Sequence, residues 1–273
     1  MKQKLLRLAP VLAGLVMIAC LPVTYTSVQE NSVGVLPTHQ RLVISNLNGY
    51  VQLEGRDDSL VSLSMTRRVS GTDLDECKAR VDDITITIDS TIGDDIRVTV
   101  AIPTEPGYSY GVDMTVKVPY SLAPDISTTN GQITASDLTE PVKATTSNGT
   151  IALTRILADV DAHTSNGKVE LVDISGSVDA VTSNNAVEAE VTLPDSNGHC
   201  RVTNSNGAIR LEIPDSTSAW IYASTSNSVI HVTNLEIEYT RNTNTLIEGR
   251  VGGGLNDIRL TTSNAQVNLV GKE

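Results

Sequence analysis

Residues 142–191 read VKATTSNGTIALTRILADVDAHTSNGKVELVDISGSVDAVTSNNAVEAEV, and in them the phrase Thr-Ser-Asn-Gly, or a near copy, returns every 18 residues. The phrase is centred on seven asparagines, with an earlier copy at Asn48: Asn130, Asn148, Asn166, Asn184, Asn206, Asn227 and Asn264. The steps between them are 18, 18, 18, 22, 21 and 37 residues. A repeat of this length is typical of a solenoid of stacked units.

The residues around each asparagine alternate in character, which indicates two short strands per unit. In one copy Val160 and Ala162 precede Asn166, Val169 and Leu171 follow it, and the residues between them are polar. Such alternation predicts strands with one buried face, and each unit must stack on its neighbours to bury that face. We therefore predict an all-β parallel β-helix, or β-solenoid, with rungs of 18–22 residues. The competing antiparallel sandwich does not explain the identical columns.

The repeated Asn-Gly pair predicts the corner between the two strands of a rung. Asparagine tolerates the left-handed region and glycine adopts positive φ without penalty. We also expect the asparagine side chains to stack and to hydrogen-bond from rung to rung, as a structural corner ladder.

Composition and charge limit the function. The chain is 40% hydrophobic but only 3% aromatic, with no Phe and one Trp, which suits a narrow core of Val, Ile, Leu and Ala. A formal net charge of −12 argues against nucleic acid as a partner.

The N-terminus has the order of an export signal. Lys2, Lys4 and Arg7 precede the apolar run 11–19, which ends Met17-Ile18-Ala19-Cys20. This resembles a bacterial lipobox, which implies a lipid on Cys20 and a membrane as partner. An ordinary cleaved signal and an uncleaved anchor are the alternatives. We predict a signal peptide at 1–19, a tether at 20–40 and one solenoid domain at 41–273.

Within that domain we expect regular rungs at about 120–235 and a final rung at about 256–270. A helix-strand insertion lies upstream, with a strand at 60–69, a short helix at 72–81 capped by Thr72, and strands at 84–88, 96–102 and 112–118. Residues 234–256 interrupt the repeats.

Three features together resemble the DUF4097 family, described as candidate adhesins with β-strand repeats. They are Val118-Pro119 leading into the Asn-Gly repeats, the helix-strand insertion, and the run Gly252-Gly253-Gly254 followed by Ile258-Arg259-Leu260-Thr261-Thr262-Ser263-Asn264. The resemblance covers nearly everything from Leu42 to the end. It implies an exported β-solenoid and brings no catalytic residues with it.

Outward positions should stack into ladders, which are the candidate binding face. One comprises Lys143, Asp161, Asp179 and Arg201, and the other comprises Glu170, Glu188 and Arg210. Acids flanked by bases are the simplest way to relieve like charges on adjacent rungs, so we predict no catalytic residue and no enzyme activity. His163 and His199 lack metal-ligand spacing, so no metal or other cofactor is expected.

We therefore predict a non-catalytic envelope scaffold or adhesion and binding module, exported and lipid-anchored to the outer membrane or cell surface. Its partner would be an envelope protein or glycan. A polysaccharide-active β-helix enzyme and an envelope-stress sensor remain as alternatives. A disulfide between Cys77 and Cys200 stays open at this point, because sequence gives no distance between them.

Overall fold

The computed structural model describes residues 22–35, 40–91 and 93–273, and two large sheets dominate it. Strands are numbered in chain order. Sheet 1 contains β1 (Val23–Gly34), β3 (Val51–Arg56), β4 (Leu60–Gly71), β7 (Ser109–Pro119), β9 (Ile133–Leu138), β11 (Ile151–Ile156), β13 (Val169–Ser175), β15 (Val187–Thr192), β17 (Ile209–Pro214), β19 (Ile230–Thr233) and β23 (Val267–Lys272).

Sheet 2 contains β2 (Arg41–Ser45), β5 (Thr85–Asp89), β6 (Asp95–Ala101), β8 (Ala123–Ser127), β10 (Val142–Thr146), β12 (Val160–Thr164), β14 (Val178–Thr182), β16 (His199–Asn204), β18 (Ala219–Thr225), β20 (Glu238–Asn242), β21 (Leu246–Val251) and β22 (Asn256–Thr262). The inward side chains of both sheets form one hydrophobic core.

Each rung is one strand of sheet 2 followed by one strand of sheet 1, and equivalent strands pair in parallel. Val160 lies opposite Val178 in sheet 2, and Val169 lies opposite Val187 in sheet 1. Ala144, Ala162 and Ala180 face one another in the core. The predicted parallel β-solenoid is confirmed, and the antiparallel sandwich is excluded.

The predicted insertion is present, with one correction to its helix. Helix α1 (Leu74–Arg80) is followed by a 3-10 turn, Val81–Asp83. Its N-cap is Asp73 rather than Thr72, because the Asp73 carboxylate accepts hydrogen bonds from the main-chain nitrogens of Asp75 and Glu76 at 2.8 and 3.0 Å.

The tether predicted for residues 20–40 is wrong over most of its length. Residues 23–34 form β1, which pairs antiparallel with β4 along all 12 residues. Val23, Tyr25 and Val33 pack against the core, while the residues between them face outward. The small polar residues of this segment resemble a linker in composition, but their alternation with Val and Tyr fits a half-buried strand.

Two rungs lie out of chain order, one at each end of the stack. Strands β2 and β3 lie between the β6–β7 rung and the β8–β9 rung. Strands β22 and β23 lie between the β16–β17 rung and the β18–β19 rung. The last rung in the sequence is therefore next to last in space, and the β20–β21 hairpin pairs antiparallel with β18 beyond it.

The repeat requires glycine because adjacent rungs approach each other closely at this corner. In most rungs it does not require glycine for a positive φ. A Cβ added to Gly131, Gly149 or Gly167 would lie 1.6–1.7 Å from the carbonyl oxygen of the corner beneath it. Of the repeat glycines only Gly49 has positive φ. The predicted corner conformation is therefore wrong, because the rungs stack backbone on backbone at this corner and leave no room for a side chain.

The left-handed residues lie instead seven positions after the asparagine, near the opposite corner. Four of them are Asp137, Arg155, Asp173 and Asn234, with φ between 54° and 60°, and Asn197, with φ 61°, is the one exception to this spacing among the described non-glycine residues. Arg155 binds the Asp137 carboxylate with both Nε and Nη2, at 2.6 and 2.8 Å, so an ion pair links two of these residues across adjacent rungs.

A column of buried threonines, two residues before each asparagine, supports the glycine corner. The Thr182 hydroxyl donates to the Gly167 carbonyl at 2.9 Å, and Thr164 donates to Gly149 at 3.1 Å. The same Thr164 oxygen accepts from the Gly167 main-chain nitrogen at 3.1 Å. In the rung where Asn204 replaces threonine, its amide donates to the Asn185 carbonyl at 2.6 Å. Each buried carbonyl of this corner thus keeps a partner, which its burial requires.

Candidate functional site

The predicted asparagine ladder is confirmed, and it runs through eight consecutive rungs. Seven of the eight side-chain amide nitrogens donate to the amide oxygen of a neighbouring rung at 2.7–2.9 Å. The eighth, on Asn48, donates to the Tyr110 main-chain carbonyl at 3.1 Å. The spatial order is Asn48, Asn130, Asn148, Asn166, Asn184, Asn206, Asn264 and Asn227. The ladder continues through Asn184, where Asn185 replaces the usual glycine. Because the amides are occupied by one another, the ladder acts as a corner brace.

The first charged ladder lies on the outer face of sheet 2. Parallel register places Lys143 beside Asp161, Asp161 beside Asp179, and Asp179 beside Arg201. Beyond Arg201 the inserted rung contributes Arg259, and the next rung contributes Tyr222. The sequence did not place Arg259 and Tyr222 on this ladder, because the spatial order of the rungs could not be read from it.

A second column runs beside the first, two residues earlier in the chain, and its residues lie at or just before the start of most of the strands. We call the two columns together the outer track. Its residues are Asp125, Lys143, Asp161, Asp179, Arg201, Arg259 and Tyr222, accompanied by Pro141, Asp159, Ser177, His199, Asp257 and Trp220. The outer track runs along the stack from one rung to the next. Each strand that carries it is hydrogen-bonded to a neighbouring strand on both sides.

Two carboxylates of the outer track are paired with histidines. His163 Nε2 lies 2.6 Å from Asp161 Oδ1, and His199 Nε2 lies 3.0 Å from Asp179 Oδ2. The Ser177 hydroxyl is also near, but it accepts a hydrogen bond from the His199 main-chain nitrogen at 3.4 Å. The residue types of a hydrolase triad thus meet here, but in a triad the base contacts the hydroxyl through its ring.

One end of the outer track is a groove of about 290 Å³. It is lined by small and apolar side chains, including Ala123, Pro141 and Val160, and by Lys143 and several carboxylates. Such a cleft is suited to a narrow, extended ligand.

The other end carries two aromatic side chains. Trp220 is 49% exposed, and the main chain at Gly254 lies against its indole, where an added Cβ would be 3.0 Å from Nε1. The Arg259 guanidinium carbon lies 4.7 Å from the centroid of the Tyr222 ring. Asp257 lies beside Trp220 in register and 3.7 Å from Arg201. Both rings are therefore held in place by neighbours on β22 and on the turn that precedes it.

The second charged ladder, on the outer face of sheet 1, is closely neutralised. Glu170 lies beside Glu188, and Glu188 beside Arg210, as predicted. Lys168 Nζ lies 2.8 Å from a Glu188 oxygen and 3.5 Å from a Glu170 oxygen. The hydrogen bond to Glu188 is the main cause that raises the pKa of Lys168. Arg210 binds Glu212 at 2.6 Å, so every member of this ladder has an ionic neighbour.

The carboxyl groups with clearly shifted pKa values are shifted downward. Hydrogen bonds from Arg41 lower the pKa of Asp95, and hydrogen bonds from Arg155 lower the pKa of Asp137. Burial raises the pKa of the Cys200 thiol to about 12. Cys77 and Cys200 are both buried and both free, so the disulfide left open above is absent.

Two further features concern the described residues alone. Within residues 22–35, 40–91 and 93–273, no three His, Cys, Asp or Glu side chains are grouped so as to hold a metal ion. In the same part of the chain, no helix has the length and apolar content needed to cross a bilayer. Cys20 lies outside the described residues.

Comparison with known proteins identifies a family. The Toastrack DUF4097 family matches residues 125–270, which is more than half of the 273 residues. A search of curated proteins finds no match.

Several solved structures are similar at low identity. A candidate cell adhesion protein from Clostridium sporogenes is 12% identical, with a TM-score of 0.33, over 90% of this chain and 100% of that one. A candidate adhesin from Bacteroides fragilis is 10% identical, with a TM-score of 0.40, over 90% and 97%. A candidate adhesin from Parabacteroides distasonis is 10% identical, with a TM-score of 0.33, over 89% and 97%.

Proposed function

We propose, from the premise that this chain belongs to the Toastrack DUF4097 family, that it is a non-catalytic binding module of the cell envelope. In this proposal the chain is exported and held at a membrane by a lipid on Cys20. Its outer track binds an extended component of the envelope, either a glycan or a protein.

The continuity of the outer track is the observation that carries this proposal. The first of the two columns recurs on β8, β10, β12, β14, β16, β22 and β18, which are consecutive strands of sheet 2, and the second lies at or just before the start of most of them. Strands in a sheet lie about 4.8 Å apart, so the track presents its side chains at a constant spacing. A long rigid surface of this kind can hold a linear partner by many weak contacts.

The state of the acids supports binding over catalysis. Asp161 and Asp179 each contact a histidine, and Glu170 and Glu188 share Lys168. A general acid in glycoside hydrolysis needs a raised pKa and a second carboxylate at a defined distance across the scissile bond. Here each of the four carboxylates instead contacts a His or Lys side chain at the surface, which suits a surface that binds.

Replacing Asp161, Asp179, Glu170 and Glu188 by Asn or Gln should leave the fold intact. Each side chain points outward, so we expect a change within about 0.5 kcal/mol per site. Binding to isolated envelopes should weaken and become less dependent on salt, because charge pairs at an exposed surface are screened. Thermal unfolding and an envelope sedimentation assay would measure the two effects.

The control for that variant is the double replacement of Asp57 by Asn and Glu236 by Gln, which removes exposed acids from outside both ladders. It should bind envelopes as the wild type does. The proposal fails if the wild-type protein does not bind envelopes, or if it cleaves a polysaccharide and the fourfold variant does not.

A lipid on Cys20 would place the folded domain close to the membrane. Strand β1 begins at Val23, so only two residues separate it from Cys20. Three residue steps span at most about 11 Å, which makes the β1 end of the stack the end nearest the bilayer.

Cys20→Ser should release the protein from the membrane, since this side chain is where the lipid would be attached. We expect the variant in the soluble exported fraction and the wild type in the detergent phase, as measured by phase partitioning. Cys77→Ser is the matched control, because Cys77 is buried and should not affect attachment. Identical partitioning of Cys20→Ser and wild type would contradict the lipid anchor.

A further inference from the structure

The outer track has an aromatic platform at one end, and its position restricts the kind of ligand. Trp220 and Tyr222 are two residues apart on β18, so both rings lie on the outer face about 7 Å apart. Trp220 rests on the main chain of Gly254, and Tyr222 carries Arg259 on its ring. These contacts fix the rings before any ligand arrives, which lowers the entropic cost of binding.

The platform and the groove lie in one line. In sheet 2, seven inter-strand steps separate β18 from β2, whose Arg41 lines the far end of the groove. At about 4.8 Å a step, the line is about 34 Å long. A ligand that used both ends would have to be an extended chain.

The backbone of this face is not free to bind a peptide as an added strand. Strands β8, β10, β12, β14, β16, β22 and β18 each have a partner on both sides. Extended peptides gain their main-chain hydrogen bonds at a sheet edge. A ligand on the outer track must therefore be recognised by side chains alone.

Those side chains suit hydroxyl groups. Asp257, Arg259 and His199 offer planar acceptors and donors beside the rings, and Arg250 lies opposite Trp220 on the neighbouring strand. Carboxylate and guanidinium groups can each form two parallel hydrogen bonds. Indole and phenol rings present a flat apolar face to C–H groups while keeping a polar edge. Sugar rings offer both adjacent hydroxyls and an apolar C–H face.

The charges favour a neutral ligand. Along one column the order is one acid, one base, two acids and two bases: Asp125, Lys143, Asp161, Asp179, Arg201 and Arg259. A polyanion or polycation would meet like charges along this line, and like-charge contacts oppose binding.

We infer that the outer track, with Trp220 and Tyr222 as its platform, is a binding site for a linear, uncharged glycan. This inference rests on the proposed binding function and names its ligand class. The glycan stacks on the two rings at β18 and extends along the track toward the groove.

The single tryptophan of the chain provides a direct measurement. The full-length protein, in a detergent without a sugar headgroup, is titrated with cellohexaose, chitohexaose and maltohexaose, and with oligogalacturonate as an acidic comparator. We expect a saturable change of Trp220 emission with at least one neutral hexasaccharide, weaker binding of the matching disaccharide, and little effect of salt.

Substitutions then locate the site. Tyr222→Ala should weaken binding by roughly tenfold, as expected for loss of one stacked ring. Trp220→Ala should abolish binding, measured by calorimetry. Tyr50→Ala is the control, because Tyr50 is 44% exposed but lies outside the outer track, and it should bind as the wild type does.

The outcomes separate this inference from the proposed function. The glycan site is overturned if no neutral oligosaccharide binds, if oligogalacturonate binds more tightly, or if Trp220→Ala binds as the wild type does. If envelope binding then persists but is lost after protease treatment of the envelopes, the ligand is a protein and the binding module stands. If the wild-type protein binds neither the neutral oligosaccharides nor the envelopes, the proposed function is overturned as well.

Discussion

Gly167→Ala should destabilise the protein by about 3 kcal/mol or more, since overpacking against side chains already costs about 1–3 kcal/mol. The added Cβ would lie 1.6 Å from the Gly149 carbonyl oxygen and 2.4 Å from its carbon. A side chain could rotate away from such a contact, but a carbonyl in the corner of a rung cannot. It is held by Thr164 from within and by the asparagine ladder from outside.

The effect should appear as a lower urea midpoint and as a fall in Tm of roughly 6–12 °C, given about 2–4 °C per kcal/mol at this chain size. Gly34→Ala is the matched control, because nothing lies within 4 Å of its added Cβ. It should be neutral or slightly stabilising, as alanine restricts the unfolded chain. Equal midpoints for the two variants would show that the corner can open and that backbone stacking is not what selects glycine.

The structure of the Asn-Gly corner could be predicted from the sequence only in part. The recurrence of Asn148-Gly149 and Asn166-Gly167 located the corner and the asparagine ladder correctly, because a fixed period is visible in one sequence. The reason for glycine was wrong, since the close approach of the glycine to a main-chain carbonyl depends on the neighbouring rung. The buried hydroxyl of Thr164 was missed for the same reason.

The order of the rungs could not be predicted, because the repeat pattern is the same in every rung. The apolar columns of 199–214, 219–233 and 256–272 fit one another in any order, so chain order was the natural assumption. What places β22 and β23 inside the stack is the connection through the β20–β21 hairpin, which pairs with β18 and returns the chain. The Gly252-Gly253-Gly254 turn follows that hairpin.

The unknown order of the rungs also limited what could be predicted of the candidate site. The ladder from Lys143 to Arg201 follows directly from the 18-residue and 22-residue periods, and its register is as expected. The contact of Arg259 with Tyr222 depends on the inserted rung. In the sequence Trp220 and Tyr222 flank a core position, Ile221, but no charged neighbour can be assigned to either ring.

Ending the chain at Leu255 should unfold more than the residues it removes. Strand β22 pairs with both β16 and β18, and β23 pairs with both β17 and β19. Their loss would leave the β18–β19 rung without the neighbour on which it stacks. Because solenoid stability is largely a sum over neighbouring rungs, we expect residues 219–251 to lose amide protection while residues 123–192 keep theirs.

Hydrogen exchange on the truncated chain distinguishes this arrangement from a stack in chain order. If the last rung were at the end of the stack, its removal would leave 219–233 protected by direct contact with 199–214. A synthetic peptide of residues 256–273 should restore protection to 219–251, because the vacant position between the two rungs has matching backbone and apolar columns. A peptide carrying Leu260→Asp, which places a charge at a fully buried position, should not. Retained protection of 219–233 in the truncated chain, without peptide, would show that the β18–β19 rung can close directly onto β16–β17.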